Sequence, residues 1–216
     1  MVGGVPETDG DRPMRGFSSP NSPFSRKVRV VAIETGQADA IDWTVVDLGG
    51  PVPALEATNP MGQVPVIVTG DGEALYDSAV ICEYLDSRHD GPRLFPAGGE
   101  ARWEVLRLQA LGDGLGAASA ALAGERRRPE ERRFQPFADN QSGKIARALA
   151  RLEHDLAALE GTLTVAPIAA ACAIGYMELR DCRPGWRDRH AGLADWYDRF
   201  AGRPSMRATA PPPQAG

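Results

Sequence analysis

Asn21-Ser22-Pro23-Phe24-Ser25-Arg26-Lys27-Val28-Arg29 sets a hydroxyl and then a proline where a short strand-like segment, residues 15–18, gives way to helical spacing. Serine is favoured at the N-cap, and proline at the first helical position, where its missing N–H would be unpaired anyway. Gly36 stands where such a helix should stop. The β-formers Trp43, Val45 and Val46 follow in a strand expected over residues 42–47, so the stretch predicts a β-α-β unit. The free N–H groups and positive dipole end of the helix attract an anion, and a hydroxyl there can donate to it. Ser22 is thereby a candidate to hold a thiolate. From these nine residues alone it reads first as a cap.

Downstream, Val64-Pro65-Val66-Ile67-Val68, the turn Gly70-Asp71-Gly72 and Glu73-Ala74-Leu75-Tyr76 read as a hairpin. Asp77-Ser78 then opens a helix over residues 79–88. A proline at the start of a strand can be cis and leaves the main chain of Val64 available to an extended peptide; it also reads as an ordinary edge-strand proline. Asp77-Ser78 offers a carboxylate, a hydroxyl and helix N–H groups, suited to a group with one positive and one negative end, or simply to capping.

Beyond Gly91-Pro92-Arg93-Leu94-Phe95-Pro96-Ala97-Gly98 only helical spacing remains. Trp103, Leu106, Ala110 and Leu111 begin a long helix whose middle carries Gly112, Gly114 and Gly116, either for close approach or for a bend. Ile145, Leu149, Leu152, Leu156 and Leu159 give one helix a continuous apolar stripe. Residues 168–179 are apolar nearly all round, as in a central buried helix, and Leu193, Trp196 and Phe200 form the last stripe. The resulting organisation is a disordered extension (1–13), an αβ domain (14–90), a linker (91–98), a helical domain (99–208) and a disordered tail (209–216).

The 216 residues are 43% apolar and 25% charged with net charge -5, an ordinary globular composition that disfavours nucleic acid as partner. Arg126-Arg127-Arg128 with Arg132-Arg133 is interleaved by Glu125, Glu130 and Glu131 and reads as a solvated loop. No apolar run approaches the roughly 18 residues of a membrane span, and no signal peptide is evident; the expectation is a cytoplasmic protein. Cys82, Cys172 and Cys182 show no C-x-x-C spacing, so neither a disulfide framework nor a metal site is expected, and Cys82 reads as an inert core thiol. His89, His154 and His190 lie in polar contexts suited to the surface, and none is placed as a base for Ser22.

Taken in order, Ser22-Pro23-Phe24-Ser25-Arg26-Lys27-Val28-Arg29, Asn59-Pro60-Met61-Gly62-Gln63-Val64-Pro65-Val66 and Leu75-Tyr76-Asp77-Ser78-Ala79-Val80-Ile81-Cys82-Glu83-Tyr84-Leu85 resemble the glutathione S-transferase family, in particular its bacterial serine-type members. Trp196-Tyr197-Asp198-Arg199-Phe200 and Arg203-Pro204-Ser205-Met206 resemble the family's last helix and tail. The resemblance implies a thioredoxin-like α+β N-terminal domain, an all-α C-terminal domain, glutathione as bound co-substrate, a homodimer and a role in detoxification. It makes Ser22 the activating position, ahead of Ser19 and Ser25. Val64 with a cis Pro65 becomes the backbone site for the cysteinyl part, Asp77 and Ser78 the γ-glutamyl site, and Gln63 a contact to the glycyl end. Many members carry Glu in place of Asp77.

The implied activity is conjugation of glutathione to a small hydrophobic electrophile, held by the long helix around residues 108–115. Isomerisation, dehalogenation or peroxide reduction would use the same site, and a non-catalytic interaction module is the rival from another class. One departure stands out. Where the family carries an S/T-x-x-D capping box, Leu163-Thr164-Val165-Ala166-Pro167-Ile168 has Pro167, which predicts a helix starting at Pro167 with Ala166 as a poor cap.

Overall fold

Alternating burial along Met14–Ser18 makes this strand, β1, the spine of a four-stranded sheet ordered β2-β1-β3-β4. The computed structural model describes residues 13–212 and divides after His89 into two units. In the first, β1 leads into α1 (Pro23–Glu34), which crosses to β2 (Ile41–Val45), parallel to β1 in register from Met14↔Ile41 to Ser18↔Val45. Next come α2 (Pro53–Thr58), β3 (Val66–Val68), β4 (Ala74–Leu75) and α3 (Ser78–Ser87). β3 runs antiparallel to β1 and β4 antiparallel to β3. Val28, Val30 and Val31 of α1 and Ile81, Cys82 and Leu85 of α3 are fully buried where these helices pack together. Val46, Leu55, Val64 and Val66 make a second cluster, with Phe17, Val52 and Ala74 against it. The helix α1 ends as expected, with Gly36 at φ 71, a left-handed conformation that glycine adopts without a Cβ penalty.

The helix α2 arises from what the sequence presents as a Gly/Pro-rich connection. Six residues with only Leu55 buried carry no periodicity to read; Pro53 in the first turn is its one signal.

The second unit is helical: α4 (Gly99–Arg126), α5 (Gln135–His154), α6 (Leu156–Leu159), α7 (Val165–Leu179), α8 (Trp186–Arg189), α9 (Ala191–Ala201) and α10 (Pro204–Ala208). α7 is central, with nearly every side chain buried. Gly112 of α4 resolves one of the sequence's open choices in favour of close approach, since a Cβ there would lie 2.8 Å from the carbonyl carbon of Ala169 and from the nitrogen of Ala170. A Cβ on Gly114 would meet nothing within 4 Å.

Four expectations need correction. α7 begins at Val165, not Pro167: Thr164 occupies the N-cap position without a side-chain cap bond, and the Val165 N–H instead donates to the Leu94 carbonyl at 3.1 Å. Pro167 falls in the first turn, where a helix needs no N–H from it. The stripe from Ile145 to Leu159 is not one helix, because the chain turns at Asp155, whose carboxylate takes Arg107 Nη1 at 2.9 Å, Arg151 Nε at 2.8 Å and His154 Nδ1 at 2.9 Å. His89 and His190 are not surface groups. Their side chains are 10% and 15% exposed and paired with Asp86 and Glu153, while His154 is exposed. Finally Thr209, assigned to the tail, is buried and its hydroxyl donates to the Ser205 carbonyl at 2.9 Å. The remaining extension and tail, residues 1–12 and 213–216, lie outside the described residues.

The cysteines are all buried and outside any disulfide. Burial pushes the Cys182 thiol up, which keeps it protonated and unreactive. The arginine-rich loop is organised around Glu125, whose buried carboxylate accepts the Phe134 N–H at 2.7 Å.

Candidate active site

Strand direction brings the three motifs together. β1 runs toward Ser18, and the antiparallel β3 starts beside its end, with Val66 opposite Phe17. β4 reverses again, Ala74 opposite Val68 and Leu75 opposite Ile67, so it leaves the sheet at the same end. Ser22, Gln63-Val64-Pro65 and Asp77-Ser78 therefore share one end of the sheet, and the N-termini of α1 and α3 both open there. α1 has no acidic residue at its cap or in its first turn, whereas the positive end of α3 meets the carboxylate of its N-cap, Asp77.

At the first helix, Ser22 is the N-cap and its Oγ accepts the Ser25 N–H at 3.2 Å. Ser25 is fully buried, and its own Oγ accepts the Ser19 N–H at 3.3 Å, while the Ser22 N–H donates to the Ser19 carbonyl at 3.0 Å. The turn 19–25 is thus stitched from both sides, a variant of the reciprocal capping box with serine at the third helical position. The cap bond uses a lone pair of Ser22 Oγ and leaves its O–H proton to be donated elsewhere. Half-buried Ser22 has that freedom; Ser25, sealed inside, does not, and Ser19 serves as the anchor of the turn. One turn on, Arg26 and Lys27 are 8% and 1% exposed, unusual burial for cations.

At the second motif the Val64-Pro65 bond is cis. The ladder begins at Val66, so among the described residues the sheet makes no use of the Val64 main chain. Val64 and Pro65 are buried and Gln63 is exposed. The preceding loop closes on Asn59, 3% exposed, whose Nδ2 donates to the Gln63 carbonyl at 2.8 Å and whose Oδ1 accepts the Met61 N–H at 3.1 Å. Gly62 takes φ 59, a left-handed turn position, and donates to the Asn59 carbonyl at 2.8 Å. At the third motif Asp77 caps α3, Oδ1 accepting the Ala79 N–H at 3.0 Å, and stays exposed, while Ser78 at the first helical position is 3% exposed.

The sequence presents Ser25 as a rival hydroxyl to Ser22 and Asn59 as part of a family motif, without assigning either a supporting bond. The signals were present: a serine three residues after an N-cap serine, and an asparagine closing a turn through a glycine. In the helical unit, Leu108 and Leu115 of the stretch expected to line an acceptor site are packed inside, leaving Ala110 and Gly114 exposed and Leu111 and Asp113 half-buried.

Residues 17–93 match the model of the glutathione S-transferase N-terminal domain and residues 119–204 that of the C-terminal domain. The uncharacterized GST-like protein YibF of Escherichia coli (strain K12) is 32% identical, over 92% of this chain and 99% of its own. The chain belongs to the glutathione S-transferase family. Two solved members are similar throughout. A glutathione transferase family member from Pseudomonas fluorescens Pf-5, with bound glutathione, has TM-score 0.90 and 41% identity over 93% of this chain and 100% of its own. A glutathione S-transferase from Methylobacillus flagellatus KT, with glutathione bound, has TM-score 0.86 and 38% identity over 92% of this chain and 99% of its own. Family membership accounts for the order of elements around the site: a small mixed sheet with its flanking helices, then an all-helical unit.

Proposed function

We propose that this chain binds glutathione at the end of the sheet, stabilises its thiolate through Ser22, and conjugates it to a small hydrophobic electrophile. The observation that carries the reading is the Ser22 hydroxyl. Its acceptor capacity is engaged by the Ser25 N–H at 3.2 Å, and its proton is free at a helix N-terminus. The family relatives crystallised with glutathione support the choice of thiol.

In this reading the Val64 main chain pairs with the cysteinyl residue as an added strand would. The N–H groups and Ser78 hydroxyl at the start of α3 take the γ-glutamyl carboxylate, Asp77 takes its ammonium, and Gln63 reaches the glycyl end. A free thiol ionises near pH 8.5; the helix end and one charge-assisted hydrogen bond lower that by roughly one to two units, about 1.4–2.7 kcal/mol of preference for the thiolate. The proton passes to solvent. With an aryl halide, the thiolate sulfur then forms the S–C bond and the halide departs with its bonding pair. Isomerisation, dehalogenation and peroxide reduction would begin from the same thiolate. Exposed Met61, Tyr76 and Val80 on the first unit favour pairing with a second copy, and a cytoplasmic location fits a protein with no helix long and apolar enough to cross a membrane among the described residues.

The test is calorimetry with reduced glutathione, together with turnover of a dinitrophenyl halide, for wild type and Ser22→Ala. Binding should survive within about threefold, and turnover at neutral pH should fall roughly 10- to 100-fold as the bound thiol returns toward its ordinary value. No glutathione binding by the wild type would sink the transferase reading; unchanged turnover in the variant would remove Ser22 from the chemistry.

A further inference from the structure

We infer that Asn59 is a positioning residue for the thiol peptide, holding the main chain on which the peptide is read. This rests on the proposed glutathione site. Both functional ends of the Asn59 side chain are committed within the same loop: Nδ2 to the Gln63 carbonyl at 2.8 Å and Oδ1 to the Met61 N–H at 3.1 Å. Its main chain is committed as well, the N–H to the Leu55 carbonyl of α2 at 2.7 Å and the carbonyl to the Gly62 N–H at 2.8 Å. A side chain 3% exposed that bonds in both directions fixes the loop without touching a ligand.

The placement of these bonds gives them functional consequence. The Gln63 carbonyl belongs to the peptide unit that also carries the Val64 N–H, so the bond from Asn59 Nδ2 sets the plane in which that N–H points. The sheet takes up at Val66, leaving the 63–65 segment without ladder support. Asn59 supplies from the α2 side the constraint that a strand neighbour supplies elsewhere. A peptide ligand that docks by main-chain hydrogen bonds then meets a preset N–H and C=O, and does not bear the entropy of ordering them. Asn59 thus acts on affinity for the peptide, whereas Ser22 acts on the ionisation of its sulfur.

Asn59→Asp is the discriminating variant. It keeps an acceptor for the Met61 N–H but replaces the donor to the Gln63 carbonyl with a charged oxygen, while Asn59→Ala removes both bonds. Steady-state turnover of a dinitrophenyl halide with reduced glutathione varied, and calorimetric binding of reduced glutathione, are measured for the full chain. Both variants should raise KM and Kd for glutathione about tenfold, with kcat at saturating glutathione and KM for the halide within about threefold of wild type. Wild-type affinity in Asn59→Ala would overturn the inference, as would restoration by Asn59→Asp, which would assign the effect to the Met61 bond. A fall in kcat at unchanged KM, or loss of folding in both variants, would also overturn it by reducing Asn59 to a support of the fold. Wild-type protein that fails to bind glutathione would remove the underlying site; wild-type binding with indifferent Asn59 variants would remove this inference alone.

Discussion

Ser22 is both a cap and a candidate donor, and the two roles use different parts of one hydroxyl: a lone pair accepts the Ser25 N–H, and the cap bond does not use the proton. The cap was readable because N-cap chemistry is local, a matter of one side chain and the next three residues. The partner turn was not, because burial of Ser25 and its bond to the Ser19 N–H depend on how β1 delivers the chain into α1. Ser25→Ala should leave the Ser19 N–H without that acceptor and destabilise the protein by about 1 kcal/mol in urea unfolding. It should also lower kcat with the dinitrophenyl halide while KM for glutathione stays within about twofold, since the loosened turn carries Ser22 and not the peptide-reading segment. An equal loss in Kd and kcat would show that the turn serves binding.

Three helix starts with similar sequence signals take different solutions. α1 and α3 are capped by Ser22 and Asp77, both at the candidate site. α7 has Thr164 at the N-cap position with no side-chain bond, its first N–H taken by the Leu94 carbonyl from 71 residues away in the chain. No window of local sequence contains that carbonyl, which is why Pro167 was expected to displace the start. The glycines of α4 make the same point. A Cβ on Gly112 would press into the backbone of α7, so Gly112→Ala should cost about 2–3 kcal/mol in chemical denaturation. Gly114, with open space around it, should behave oppositely: Gly114→Ala is expected to stabilise by about 0.5–1 kcal/mol, the ordinary gain of alanine over glycine within a helix. Equal effects at the two positions would refute the close approach of α4 and α7.

At the scale of the whole molecule, Asp155, at the break between α5 and α6, ties α4 to the end of α5. Burial opposes its ionisation, but hydrogen bonds from His154, Arg151 and Arg107 outweigh that and hold its carboxyl well below the usual carboxylate range. A carboxylate depressed on folding contributes stability that is fully present above its unfolded value near 3.9 and is lost as pH falls through its folded value. Unfolding free energy should therefore fall as pH drops below about 4, and Asp155→Asn should flatten that dependence. At pH 7 the substitution should cost about 1–2 kcal/mol, a modest figure because both arginines are about half exposed and solvent screens them. Thermal melts of the two proteins from pH 2 to pH 7 check this; parallel curves would show that Asp155 is not responsible.

What the sequence determined by itself is the set of local signals. Ser22-Pro23, Val64-Pro65 and Asp77-Ser78 each encode a turn or a helix start in a few adjacent residues, and apolar period separates the αβ unit from the helical one. Their order was enough to suggest the family. What only the tertiary structure decided is how those signals are supported: which end of the sheet gathers them, which carbonyl starts α7, which serine is sealed and which is half-buried, and that the Asn59 side chain bonds the Gln63 carbonyl. The physical reason is range. Caps and periodicity act within a turn or two of chain, whereas strand direction, burial and the hydrogen bonds of buried polar groups arise only when segments distant in sequence are packed together.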